Sequence, residues 1–400
     1  MTREIVLGVD FGTSYTSAGA WIDGQVHLVV DSGDAMIPSV VYLPERGPPE
    51  VGGRAVPHLM SEPHSTVTSI KRLMGARRDD EAVRRLGPTV PYRLGYTLAG
   101  QLVLKSRNQD WAPEQIAGYV LSRVRTLAEQ RFGATIRKMV ATASAVATVG
   151  YQTALRKAAR LAYLDVVEIV AEPIAGALAV GLHAQPEHRR LAVFDFGGGT
   201  FDITLIEQRG RRFSIVGTGG DPFLGGDDLD QALVGALAGL IYRRSRFDLL
   251  HDVVRRAALT LRCESVKRAL STERETKLSM REAYVEGGEG RDLGLVIERS
   301  WAEMLWDPLF TRATAEIEAV LAQANWCAGD VDEIALIGGS SLVPRFQEHV
   351  QALFPQVAVA AAANAHVAVA TGATLLACRH QPGGGDVPVL NDLRPLRNLG

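Results

Sequence analysis

Cysteine is scarce. The 400-residue chain holds only Cys263, Cys327 and Cys378, an odd number set far apart, which excludes a disulfide scaffold and fits a reducing cytoplasm. A surplus of either charge is also missing: Lys plus Arg total 43 and Asp plus Glu 45, a formal net charge of −2. Binders of phosphate backbones carry a basic excess, so no nucleic-acid partner is expected. The opening residues have only a short apolar run, broken at Asp10, and do not read as a signal peptide. One long stretch, Val357 to Ala377, is nearly free of charge, but it is mostly alanine and contains Asn364, His366 and Gly372. It reads as a buried strand, a short loop and a packed helix, so a soluble protein without a membrane span is expected. The nine histidines do not cluster at ligand spacing. Zinc, metalloprotease and Rossmann signatures are absent, as are a G-x-S-x-G elbow and a G-x-x-x-x-G-K-[ST] loop.

What remains is ordinary globular composition, 46% hydrophobic and 22% charged, long enough for two or three domains. Ile5 to Val9 is an apolar, β-branched run ending at Asp10-Phe11-Gly12-Thr13-Ser14. Ser17 to Trp21 and Val26 to Val30 follow as strands, with Asp23-Gly24 as the turn between them. Pro44 to Gly53 reads as loop. A helix is predicted from Pro113 to Phe132, stopped by Gly133, then a strand over Met139 to Ala143. Gly150 to Leu161 and Pro173 to Leu182 read as helices with small-residue faces. Then the opening pattern recurs, offset by 185 residues (10 to 195). Leu191 to Phe194 ends at Asp195-Phe196-Gly197-Gly198-Gly199-Thr200, and Ile203 to Ile206 and Phe213 to Val216 follow across Arg209-Gly210. Two strand–turn–strand units of one kind imply two similar lobes with a cleft between them. Arg255 to Leu270 and Asp307 to Gln323 read as helices, and Ile334 to Ile337 as a buried strand breaking at Gly338-Gly339-Ser340.

A carboxylate at a strand end, followed at once by Gly, Thr and Ser, suits phosphate and hydrated magnesium. The tight turn aims N–H groups and hydroxyls at one place, and Mg²⁺ keeps most of its waters. A capped hairpin with a satisfied Asp10 is the alternative. Asp195 to Thr200, with three bare glycines and Asp202 beyond, repeats the pattern; a ligand-free glycine loop is the alternative there. Two such turns facing one cleft would grip a polyphosphate from both sides. Glu264, Lys267, Arg268 and Ser271 share one helix face. A solvated face and a ribose-and-base site, with the Arg268 guanidinium stacked on the base, are both compatible with that spacing.

These residues resemble the nucleotide-binding domain of the seventy-kilodalton heat-shock chaperones (DnaK type), within the actin-like ATPase superfamily. The motifs are G-V-D-F-G-T-S-Y at Gly8–Tyr15, I-K-R-L-M-G at Ile70–Gly75 and E-P-I-A-G-A-L-A-V-G-L at Glu172–Leu182. F-D-F-G-G-G-T-F-D at Phe194–Asp202, L-G-G-D-D-L-D at Leu224–Asp230, C-E-S-V-K-R-A-L-S at Cys263–Ser271 and I-G-G-S-S-L-V-P at Ile337–Pro344 complete the set, which covers nearly all of residues 3–380. The resemblance implies an α/β actin-like fold, two lobes each with a mixed β-sheet core flanked by helices, and a nucleotide cleft between them. Lobe I would span 1–184 with a peripheral subdomain near 38–111. Lobe II would span 185–379 with a peripheral subdomain near 225–306, and 380–400 would be a linker and the start of a substrate domain. It further implies ATP or ADP with Mg²⁺, and K⁺ as in relatives that need it. Gly12, Thr13, Ser14 and Tyr15 would line the first phosphate loop, and Gly197, Gly198, Gly199 and Thr200 the second. Asp10 and Asp195 would hold hydrated Mg²⁺. Lys71, Glu172 and Thr200, with those two aspartates, would serve hydrolysis. Asp10, Tyr15, Asp195 and Asp202 would offer oxygens to a monovalent cation. Glu264, Lys267, Arg268, Ser271, Gly338, Gly339, Ser340 and Leu342 would hold adenosine.

The pattern also departs from the family. Leu342 stands where an arginine is expected to face the helix arginine across the adenine, so stacking would be one-sided. Ser144 replaces an expected proline and Gln152 an expected arginine, residues that relay nucleotide state in the family. Glu168 reverses a charge where J-domain partners dock, and Asn364–Ala370 reads N-A-H-V-A-V-A. A divergent bacterial member is implied, monomeric and cytoplasmic, hydrolysing ATP slowly, with a J-domain co-chaperone and a nucleotide exchange factor as partners. Unfolded peptide would bind only through a following domain, and a shortened form of a longer protein is the expected reading of the last residues. An actin-like filament ATPase and a small-molecule kinase are the alternatives on the same fold.

Overall fold

The computed structural model describes residues 4–88, 90–180, 188–210, 212–359 and 364–382. In chain order its main elements begin with β1 (Val6–Phe11), β2 (Tyr15–Ile22) and β3 (Gln25–Leu28). Helix α1 (Pro113–Phe132), β4 (Lys138–Ala143), α2 (Val149–Leu161), β5 (Asp165–Ala171) and α3 (Glu172–Ala179) complete the first half. The second half holds β6 (Arg189–Phe196), β7 (Phe201–Arg209), β8 (Arg212–Asp221), α4 (Gly226–Ser245), α5 (Val253–Leu270), β9 (Glu275–Glu286) and β10 (Glu289–Glu298). It ends with α6 (Arg299–Gln323), β11 (Glu333–Ile337), α7 (Pro344–Leu353) and α8 (Ala368–Ala377).

Local chemistry explains the first elements. Asp23 (φ 51°) and Gly24 (φ 83°) both take positive φ, as a two-residue hairpin turn requires. Helix α1 starts on Pro113 with Glu114 in its first turn and stops at Gly133, whose φ is 63°. Two sheets result. In the first the order is β5-β4-β1-β2-β3, with β1 parallel to β4 and antiparallel to β2. In the second the order is β8-β7-β6-β11, with β6 parallel to β11 and antiparallel to β7. The duplication is carried into register: Asp10 pairs with Ser17 and Phe11 with Thr16, while Asp195 pairs with Asp202 and Phe196 with Phe201. Each hairpin therefore closes on the same four-position turn, 12–15 and 197–200.

Helices α3 and α8 pack against each other between the sheets. Gly372 has no room for a Cβ, which would meet the Ala175 carbonyl, and one on Gly8 would run into the backbone of Thr374. This close approach brings the strand ends of both sheets to one place. Separate apolar cores back each sheet. In the second, Phe196, Phe201 and Phe346 pack edge to face, with Phe196 and Phe346 centroids 4.7 Å apart.

Three expectations change. The helix predicted from Asp307 begins at Arg299 and runs through Pro308, because Ala302, Trp306, Phe310, Ala313 and Ile317 form one buried stripe while Pro308 is exposed. The loop over 44–53 contains a short strand, Glu50–Val51, whose buried Val51 pairs with buried Val41. No strand is seen at 357–359, where the stretch expected to open on a strand begins; 360–363 lie outside the described residues. So do the end of the helix expected to reach Leu182, the 184/185 boundary and most of the linker at 380–400. Among the described residues no helix is long and apolar enough to cross a membrane, and all three cysteines are free.

Candidate functional site

Where the two hairpins converge, a buried acid cluster forms. Lys71 lies in the 3₁₀ turn Ile70–Leu73, and its Nζ donates to Glu172 Oε1 at 2.8 Å; the two side chains are 17% and 7% exposed. Glu172 opens α3 and stays buried. Asp10 and Asp195 flank this pair from the two hairpins. Burial, then the Glu172 charge, pushes Asp10 up to about 6, against a smaller lowering by Lys71 and Thr142. Asp195 is raised well above the ordinary carboxylate range by burial, Glu172, Asp202 and Asp10. Asp202 is raised by burial and Glu172, with Thr200 and Ser144 hydrogen bonds opposing. Lys71 is held protonated: burial opposes its charge, but the Glu172 and Asp10 carboxylates push its pKa well up. Four carboxylates thus share one ammonium.

Such a centre is short of positive charge and fits a cation. Among the described residues no three His, Cys, Asp or Glu side chains converge as direct ligands. The donor set therefore suits a cation held through its own water, with Asp10 and Asp195 as the facing carboxylates. The residues expected to serve a monovalent ion divide their attention. The Tyr15 hydroxyl donates to Glu264, while Asp202 accepts from Ser144 Oγ at 2.9 Å.

The turns of the two hairpins meet directly. A Cβ on Gly198 would crowd Ser14, lying 2.9 Å from its Cβ, and one on Gly199 would lie 3.0 Å from Thr13 Cγ2. Ser14 Oγ also donates across the cleft to Asp227 Oδ1 at 3.2 Å. Gly12 closes the first turn, its carbonyl accepting from Ser39 Oγ at 2.9 Å.

The α5 face is not simply solvated. Glu264 takes the Tyr15 hydroxyl, and Arg268, exposed to solvent, lies 5.8 Å over the Tyr15 ring and 3.7 Å from Asp34. Lys267 turns into its own half and donates to Asp230 Oδ2 at 2.7 Å and the Gly226 carbonyl at 2.8 Å. Ser271 caps the helix end and donates to the Lys267 carbonyl at 3.2 Å. Gly338 (φ 81°) must be glycine, since a Cβ would strike the Phe196 carbonyl. Ser340 Oγ donates to the Gly197 carbonyl at 2.8 Å, which ties this turn to the second hairpin. Gly339 is exposed and Leu342 half-buried. A cavity of about 950 Å³ lies between Thr13 and Tyr15 on one side and Asp227, Glu264 and Arg268 on the other.

Sequence reasoning missed several partners. Arg72 donates to the Gly199 carbonyl and lies 5.4 Å over the Phe223 ring, joining the halves. Thr142 Oγ1 donates to Asp10 at 3.1 Å, and Ser144 reaches Asp202 from the same strand end. The signal was present for Arg72, which adjoins Lys71 in its motif. Glu168, expected on a docking surface, is held by Arg379 at 3.1 Å and His380 at 2.8 Å.

The family model described as Hsp70 protein matches residues 6–398. The mitochondrial heat shock 70 kDa protein of Pisum sativum is 33% identical over 398 residues, covering 98% of this chain. The chain spans 58% of that relative's own length. With the duplicated hairpins, the acid centre between them and the match along almost its whole length, the chain belongs to the Hsp70 family.

Proposed function

We propose that this chain binds ATP with Mg²⁺ in the cleft and hydrolyses it slowly to ADP and phosphate. It would act as the nucleotide-responsive part of a chaperone whose peptide-binding domain follows it. The single observation that carries this reading is the meeting of Asp10, Asp195, Glu172 and Lys71 where two duplicated hairpins converge. In phosphoryl transfer the protein mainly positions groups and offsets charge. Thr13, Ser14 and Tyr15 with Gly197 to Thr200 would cradle the phosphates. Lys71 would meet the terminal phosphate, and Glu172 would orient the attacking water. Asp10 and Asp195 would hold the magnesium waters, and the ion would supply further charge neutralisation when bound. Glu264, Lys267, Arg268, Ser271 and the Gly338–Ser340 turn would hold adenosine, with Leu342 making an aliphatic contact on one face. Potassium, a J-domain co-chaperone and an exchange factor belong to this proposal, as do a cytoplasmic setting and the lobe boundaries at 184 and 379. The three free cysteines support a reducing compartment.

Calorimetric titration of ATP and ADP, with and without Mg²⁺ and K⁺, tests the reading; no uptake of either nucleotide sinks it. Lys71→Ala is expected to keep nucleotide binding while single-turnover hydrolysis falls about 10²–10³-fold. Unchanged hydrolysis in that variant removes the role given to Lys71.

A further inference from the structure

Tyr151 belongs to none of the motifs above. It stands in the first turn of α2, at the point where Gly75 packs backbone to backbone on that helix. A Cβ on Gly75 would lie 2.7 Å from the Tyr151 amide nitrogen. Gly75 ends the segment that carries Lys71, so this contact sets the tyrosine against the lysine turn. The ring packs on the first apolar core. The hydroxyl oxygen is buried and makes no hydrogen bond among the described residues. After burial, the charges that act on it are Lys71, then Glu172, then Asp10.

One connection, from β4 into α2, thus sends three hydroxyls toward the acid centre. Thr142 is engaged with Asp10 and Ser144 with Asp202. Only that of Tyr151 is open. A buried hydroxyl left open is unfavourable unless something polar completes it. Burial keeps the phenol protonated, so it acts as a neutral donor beside the ammonium.

We propose that the Tyr151 hydroxyl is a further ligand-binding donor of this centre, completed by an oxyanion seated beside Lys71: the terminal phosphoryl group of a nucleoside triphosphate. The assignment rests on the nucleotide reading above and deepens it, because it makes Tyr151 a residue that tells triphosphate from diphosphate.

Tyr151→Phe removes one oxygen and leaves the ring. The unliganded variant is expected to unfold at the same temperature as the wild type or higher, since an unsatisfied group has gone. By calorimetry in Mg²⁺, ADP affinity changes less than about twofold, whereas a non-hydrolysable ATP analogue binds about tenfold more weakly. Tyr151→Gln, which restores an N–H donor, recovers part of that loss. Two results overturn the assignment. One is a Tyr151→Phe chain that binds both nucleotides as the wild type does. The other is a variant that unfolds at a lower temperature and loses both nucleotides equally, which is what a purely structural tyrosine would give. A wild-type chain that takes up neither nucleotide overturns the nucleotide reading and this assignment together, and that outcome is read without any variant.

Discussion

The two halves of the molecule repeat a hairpin and a buried lysine–carboxylate pair, and they put these to different uses. In the first half the turn carries side chains, Thr13, Ser14 and Tyr15; in the second it carries bare glycines, 197 to 199, with Ser14 set against Gly198 and Thr13 against Gly199. In the first half Lys71 pairs with Glu172 amid the hairpin carboxylates. In the second, Lys267 pairs with Asp230 and the Gly226 carbonyl, with side chains 12% and 5% exposed. A duplicated unit has kept its backbone and its strand-end aspartate, and the copies differ where their turns touch: one brings side chains, the other leaves room.

The largest expected effect breaks this division at Lys267. Lys267→Met leaves Asp230 buried without its cation, which costs about 3–5 kcal/mol when the carboxylate is ionised. Burial already lifts Asp230 to about 7 despite the lysine, and removing the lysine lifts it further. The loss should therefore be large at pH 8 and shrink at pH 5.5, where Asp230 takes up a proton. Chemical denaturation at the two pH values measures it. Unchanged stability at pH 8 would mean that the second pair is not structural and that the two halves do not differ in this way.

What was legible in the sequence follows the range of the interaction. The hairpins, their turns and the duplication were readable because Asp23-Gly24, the β-branched runs and the two Asp-Phe-Gly turns act within a few residues. The extent of α6 was not. Pro308 reads as a breaker, and only the buried stripe below it, seen in three dimensions, outweighs it. The site divides in the same way. Spacing put Glu264, Lys267 and Arg268 on one face, but their partners Tyr15, Asp230 and Asp34 come from other elements, Tyr15 standing 249 residues from Glu264. Lys71 and Glu172 are 101 residues apart, and no local pattern joins them; they entered through the resemblance. Tyr151 had neither a spacing nor a motif to mark it.

The division between filled and empty turns is tested at Gly198. Gly198→Ala places a methyl against Ser14, and overpacking there costs about 1–3 kcal/mol. Ser14→Gly in the same chain should relieve most of that, although it gives up the hydrogen bond to Asp227. A double-mutant cycle on unfolding free energies should return a coupling of about 1 kcal/mol or more. Strict additivity would show that the turns do not complement each other.

The smallest effects concern the strand end that serves both halves. Thr142 and Ser144 lie two residues apart, the spacing that puts side chains on one face of a strand, and they donate to Asp10 and Asp202 respectively. Thr142→Val and Ser144→Ala should each cost about 1 kcal/mol, and the cost should depend on pH with a fixed sign. Asp10 is raised from an ordinary value near 4 to about 6. Its contribution to stability is thus fully present below pH 4 and is lost as pH rises through 6. The Thr142 donor favours the ionised form, so removing it matters above that window and not below it. Asp202 is also raised, and Ser144 opposes that shift, so the same sign holds. Denaturation at pH 4.5 and pH 8 should show both variants closer to the wild type at the lower value. Equal losses at the two values would mean that these hydroxyls serve packing and not the carboxylate charge.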